Sequence, residues 1–146
     1  MHTAGHSQSV RLAEVTEAVI SIASLRSLVD DPRAGAVVTF SGDVRDHDHG
    51  RSVQSLVYEG HPTAGAVLAQ VAADVAGRFD VIAIAVTHRV GPLGIGDCAL
   101  AVAVGAAHRG EAFGACTALV EETKARLPVW KHQFFTDGTD EWVNCA

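Results

Sequence analysis

The only two lysines among the 146 residues, Lys124 and Lys131, fall together in "EETKARLPVWKHQFF" (121 to 135), while nine arginines carry the rest of the positive charge. A primary amine becomes a nucleophile or a proton carrier once its charge is disfavoured, and two ammonium groups brought into one pocket disfavour each other. The rival reading is a pair of solvated helix-end lysines, which a helix C-terminus favours anyway. Placement separates the two readings. On a helical wheel Lys124 falls about 80° from the centre of an apolar stripe, so its stem can lie on protein while the ammonium reaches a cavity. Lys131 lies beyond Pro128 on an extended segment, and chain reversal at the proline could bring both amines to one pocket.

Further cationic groups recur at the ends of elements: Arg45 closing "SGDVR", His88-Arg89 after a strand, and His108-Arg109 opening the last helix. A helix N-terminus already attracts anions, and a His-Arg pair added there describes a phosphate or carboxylate site. Surface pairing with Asp or Glu is the competing account. Arg109 and Lys124 stand fifteen residues apart on one helix, or about 22 Å along its axis, too far to touch one small ligand. If both serve one site, the second comes from another copy of the chain and the site straddles a homodimer interface.

Composition narrows the field. A formal charge of −6 argues against a nucleic-acid surface, and no apolar run approaches the roughly 20 residues that span a bilayer. The N-terminus lacks a basic start and an apolar core, so no secretory signal is expected. Three cysteines without CxxC spacing read as reduced thiols in a cytoplasmic protein. Residues 1–9 are expected to be a disordered tail and 10–146 a single domain.

The elements that must position these groups follow from pattern. "VRLAEV" (10 to 15) reads as a strand, and 21 to 35 as a helix stopped by Pro32 and Gly35. "GAVVTFSGDVR" (35 to 45) and "VQSLVYE" (53 to 59) read as a hairpin with a long polar tip, after which an Ala-rich helix starting near Pro62 runs to about Arg78. "VIAIAVTHRV" (81 to 90) and "CALAVAVGA" (98 to 106) make a second hairpin. The intervening "GPLGIGD" is followed by a strand and has no Lys-Ser/Thr, which excludes a phosphate loop. The last helix spans 109 to 126, its stripe built from Ala112, Phe113, Cys116, Leu119, Val120 and Leu127, and "VWKHQFF" is a short strand. The order β-α-β-β-α-β-β-α-β is an α+β pattern of antiparallel hairpins packed with about three helices.

Four separated segments, "FSGDVRDHDHGRSVQSLVYEGHP", "THRVGPLGIGD", "VGAAHRGEAFGAC" and "ETKARLPVWKHQFFTDGTDEWV", together resemble the large, catalytic subunit of molybdopterin synthase, over about residues 34 to 143. The resemblance implies an α/β-hammerhead fold and a homodimer. It also implies a partner, a small ubiquitin-like sulfur carrier whose C-terminal Gly-Gly ends in a thiocarboxylate. Sulfur from that tail would pass twice to cyclic pyranopterin monophosphate and form the dithiolene, with no resident cofactor. Lys124 and Lys131 match the family's lysines at the carrier tail and substrate. Asp43, Val44 and Arg45 match its substrate-contacting strand end, His108 and Arg109 the anion-binding pair supplied by the neighbouring subunit, His132 and Gln133 further pocket positions, and Phe40 and Val120 wall residues. Gln133 stands where the family has glutamate, His132 replaces a basic residue, and "YEGHPTAGA" lacks the usual aromatic and methionine.

The same residues admit other chemistries. His47, His49 and His61 lack strict ligand spacing, so no metal site is expected, and Cys98 and Cys116 read as packed thiols. A non-catalytic module binding pterin or carrier is the main alternative, against which both lysines argue. A lysine Schiff-base enzyme acting on a small phosphorylated carbonyl compound is a third reading; it needs no partner protein.

Overall fold

The computed structural model describes residues 9–144; the tail expected at 1–9 lies, apart from Ser9, outside them. Two sheets divide the strands. The first has the order β1-β5-β7-β2, built from β1 (Val10–Thr16), β5 (Ala83–Arg89), β7 (Cys98–Ala106) and β2 (Ala36–Asp43). Its β1–β5 pair is parallel and the others antiparallel. The second joins β3 (His47–Asp48), β4 (Arg51–Gly60), β8 (Val129–Phe135) and β9 (Asp140–Val143), with β6 (Gly91–Gly94) also paired to β4. Among the described residues three helices complete the α+β fold: α1 (Ile22–Leu28), α2 (Ala64–Arg78) and α3 (Arg109–Arg126). Among the described residues no helix is long and apolar enough to cross a membrane.

Alternation in the central strands sorts side chains by size. Ala83 and Ala85 of β5 and Ala101 and Ala103 of β7 pack with Leu25 and Val29 of the short α1 segment. Ile84 and Val86, with Leu100, Val102 and Val104, face the opposite way and meet Leu68 and Val75 of α2 and Leu119 of α3. Small residues on one face let α1 approach closely. At Gly105 an added Cβ would come within 2.9 Å of the Val29 carbonyl oxygen, so β7 must carry glycine there.

Several sequence expectations need correction. The segment 35 to 45 does not form a hairpin with 53 to 59: β2 pairs with β7, whereas β4 pairs with β6 and β8. The β2–β7 register shifts between Gly42 and Asp43, and beyond that point Val44 bonds to the 94–97 loop instead (Val44 N to Asp97 O 2.9 Å, Gly96 N to Val44 O 2.8 Å). The polar tip folds on itself, His47 opposite Ser52, with His49 (φ 50°) and Gly50 (φ 78°) making the tight turn. Helix α1 stops at Leu28 rather than running to 35, because Pro32 disfavours helical geometry at Asp31. The Asp31 carboxylate instead accepts from the Arg33 backbone and guanidinium. Helix α2 starts at Ala64, just after Pro62. The hairpin of β5 and β7 is present, but its connection contributes β6 to the other sheet.

Helix α3 has the expected bounds, and Leu127 after it is extended (φ −71°, ψ 121°), as the following proline demands. Its buried face is Ala112, Ala115, Cys116, Leu119, Val120 and Thr123. Phe113, expected in that stripe, is instead 59% exposed. The stripe is narrow because Gly114 lies against the Phe79 ring, so the helix packs through small residues and turns Phe113 outward.

Candidate functional site

Where the two sheets meet, a cavity of about 230 Å³ opens between β2, β4, β5 and β8 and the C-terminal end of α3. Lys124 reaches it from the last turn of α3, and Lys131 from β8. Pro128 makes this meeting possible. The helix ends at Arg126, the chain turns through an extended Leu127, and β8 then pairs with β4, placing Lys131 opposite Tyr58. A continued helix would have lost Lys131 to another path.

Asp43, Val44 and Arg45 line the same cavity. Val44 is buried and pinned through its backbone to the 94–97 loop, so it anchors the segment that carries Arg45 past the sheet edge. The Asp43 carboxylate accepts from Ser41 Oγ at 2.5 Å, which fixes its orientation. Arg45 lies 3.4 Å from Asp48, and Gln133, 2% exposed, donates from Nε2 to the other Asp48 oxygen at 2.8 Å. Gln133's hydrogen bond, then the charges of His49, Lys131 and Arg45, hold the Asp48 carboxyl below its ordinary range, against a partial cost of burial. The cavity thus presents primary amines and a guanidinium interleaved with the Asp43 and Asp48 carboxylates. Such a wall can bind an anionic group and move a proton. Phe40 contributes apolar wall.

Not every expected residue joins this cavity within one chain. His108 and Arg109 are exposed at the opposite end of α3, separated from Lys124 by most of its eighteen residues. His132 follows Lys131, so strand alternation turns it to the other face of β8. There it lies 2.6 Å from Asp140 and stacks on Trp142, ring centroids 4.1 Å apart. Val120, expected as a wall, is buried in the hydrophobic core and is not among the residues lining the cavity. His47 also lines the cavity, and its Nδ1 pairs with Asp46 at 2.8 Å. Burial pushes the Cys116 thiol up to about 11 and raises Cys98 as well, which suits packing and not nucleophilic use.

Sequence reasoning missed Asp48, Tyr58 and His88 as cavity residues. His88 was visible only as one of several cationic groups after strands. Its apolar alternation partners Ile84 and Val86 carried the signal, since they predict that His88 points inward with them.

The family profile described as "MoaE protein" matches residues 15–126. A Nostoc protein named "Molybdopterin synthase catalytic subunit" is 37% identical over 132 residues, 89% of this chain and 80% of its own length. The Bacillus subtilis protein of that name is 34% identical over 131 residues, 89% and 83% of the two chains. The crystal structure titled molybdopterin synthase from Staphylococcus aureus superposes with a TM-score of 0.84 at 30% identity, covering 90% of this chain and 96% of the other. With a family match across most of its length and relatives above 30% identity at this coverage, the chain belongs to the MoaE protein family.

Proposed function

We infer that this chain is the catalytic subunit of a molybdopterin synthase, a sulfurtransferase of molybdenum cofactor biosynthesis. The observation that carries the reading is the convergence of Lys124 and Lys131, the only lysines of the chain, with Arg45 in one cavity. Relatives above 30% identity bear the corresponding name. The donor is a small ubiquitin-like carrier whose Gly-Gly tail enters extended and ends in a thiocarboxylate. The acceptor is cyclic pyranopterin monophosphate, which takes sulfur twice to form the dithiolene. Arg45 holds phosphate charge through charge-assisted hydrogen bonds. Lys124 and Lys131 serve the acyl carbonyl and the pterin as proton carriers, and Lys124 is the candidate for transient acylation. Asp43, Val44 and Gln133 shape the substrate's side of the cavity.

The protein acts as a homodimer, with His108 and Arg109 of one copy completing the anion site of the other, and with one carrier per copy. Support comes from the length of α3, which keeps these two residues about 22 Å from Lys124 of the same chain. The exposed Phe113 ring one turn from Arg109 offers an apolar contact for a second copy. His132, outside the cavity of its own chain, is assigned to the substrate site only by family resemblance. Free Cys98 and Cys116 thiols suit a reducing, cytoplasmic setting.

The test mixes the protein with thiocarboxylated carrier and cyclic pyranopterin monophosphate and assays the dithiolene. Wild type should form it, and Lys124→Ala and Lys131→Ala should each lose roughly 10²- to 10⁴-fold in rate. Carrier binding without product from the wild type would replace this reading with that of a non-catalytic binding module.

A further inference from the structure

One buried titratable side chain in the cavity has no part in the chemistry above. His88 is 1% exposed and is the next-to-last residue of β5, on the face shared with Ile84 and Val86. It lines the cavity together with Lys124 and Lys131. Its Nδ1 lies 2.8 Å from the backbone carbonyl oxygen of Arg89. A carbonyl only accepts, so Nδ1 carries the proton, and Nε2 of the neutral ring is left as an acceptor toward the cavity. The ring is held edge-on against Tyr58, centroids 4.9 Å apart and planes at 90°. A histidine fixed on two sides with one free lone pair is built to receive a hydrogen bond.

The geometry points to His88 as a positioning residue for Lys124: its Nε2 accepts a hydrogen bond from the lysine ammonium and aims that group at the reacting carbonyl. This rests on Lys124 having the role given above. Burial, and secondarily the charge of Lys124, hold the imidazole neutral, down to about 4, so at working pH the ring accepts without competing for the positive charge. The titratable and charged groups that line the cavity with this pair are Tyr58 from β4, Lys131 from β8, Asp43 from β2, His47 and Asp48 from β3, and Arg45. Lys131 and Arg45 share the cavity, and a neutral acceptor at His88 fixes which way Lys124 points among them.

Two measurements need neither carrier nor pterin, so their failure is separable from failure of the synthase reading. In the first, Lys124 acylation by a water-soluble activated ester is followed against pH by peptide mass spectrometry. His88→Leu removes the acceptor, and the profile should move to lower pH, while His88→Gln, which keeps an acceptor oxygen, should leave it near wild type. An unshifted or upward-shifted profile in folded His88→Leu overturns the proposal. In the second, which does not depend on that variant folding, the ¹⁵N resonances of His88 are read in wild type and Lys124→Ala. The Nδ1–H tautomer is expected, with Nε2 moving toward the position of a free imine-type nitrogen when Lys124 is removed. An Nε2–H tautomer, or an Nε2 resonance indifferent to Lys124, overturns it. With the complete assay, His88→Leu should lower kcat about tenfold at unchanged KM for the pterin, and His88→Gln should recover most of it.

Discussion

Gln133 Nε2 donates to Asp48 Oδ2 at 2.8 Å and approaches Glu141 Oε1 at 3.4 Å, so one neutral amide stands between two carboxylates. Replacing it by glutamate, the residue the family resemblance leads one to expect, would face three carboxylates together in a site where position 133 is 2% exposed. One of them must then keep a proton. Its folded pKa rises above the unfolded value, so Gln133→Glu is tolerated below about pH 4 and loses stability as pH rises through the raised value. Urea unfolding at pH 5 and pH 8 should show the variant falling further behind wild type at the higher pH, by roughly 1 to 3 kcal/mol. An equal deficit at both would mean that repulsion with Asp48 is absent.

His88 makes a second pH-dependent contribution, of opposite direction. Its folded pKa is depressed to about 4 by burial, against an unfolded value near 6.5, so the unfolded chain binds the proton first. The stability conferred is whole above about pH 6.5 and is lost as pH falls toward 4, about 3 kcal/mol in all. Denaturant melts of His88→Gln, which has nothing to titrate there, should show a flatter stability curve between pH 7 and pH 4.5 than wild type. Parallel curves would place the acid sensitivity elsewhere.

How much of this was legible beforehand depends on whether an observation was local. The bounds of α3, the extended Leu127 and the strand after Pro128 follow from periodicity and the geometry of proline, and they sufficed to expect Lys124 and Lys131 near one another. The assignment of β2 to one sheet and β4 to another depends on partners far along the chain, which a hairpin-like spacing conceals. The family resemblance groups His132 with Gln133 as pocket positions. Period-two alternation already separates them, and on β8 Gln133 is buried at the cavity while His132 stacks on Trp142 outside it. Asp48 was hidden in a polar tip whose residues look solvated until β8 supplies Gln133.

The close approach of α1 to the central sheet can be tested at Gly105. An alanine Cβ there would meet the Val29 carbonyl oxygen at 2.9 Å, with the Ala34 and Val29 side chains at 3.6 and 3.7 Å behind it. The backbone oxygen cannot swing aside as a flexible side chain would, so α1 or β7 must shift. Gly105→Ala is expected to destabilise by about 1 to 3 kcal/mol, seen as a lower midpoint in thermal or urea unfolding. Gly110→Ala, on α3 with nothing within 4 Å of its added Cβ, is the control and should be neutral or slightly stabilising.

The length of α3 gives the sharpest test of the shared site. Arg109 opens the helix and Lys124 lies in its last turn, so a chain damaged at one position retains the other, and the two intact residues meet only if subunits contribute across an interface. Arg109→Ala and Lys124→Ala should each be nearly inactive alone. In a randomly assorted mixture, half the dimers pair one variant with the other, and one of the two sites in each is whole. Such mixtures, formed by co-expression, should recover about a quarter of wild-type dithiolene formation, and mixed dimers isolated by two tags about half. Recovery at that level requires that Arg109 and Lys124 act from different chains. Mixed dimers as inactive as either parent would mean that each chain supplies both residues to separate steps, and the anion site would have to be built from Arg45 and its neighbours alone.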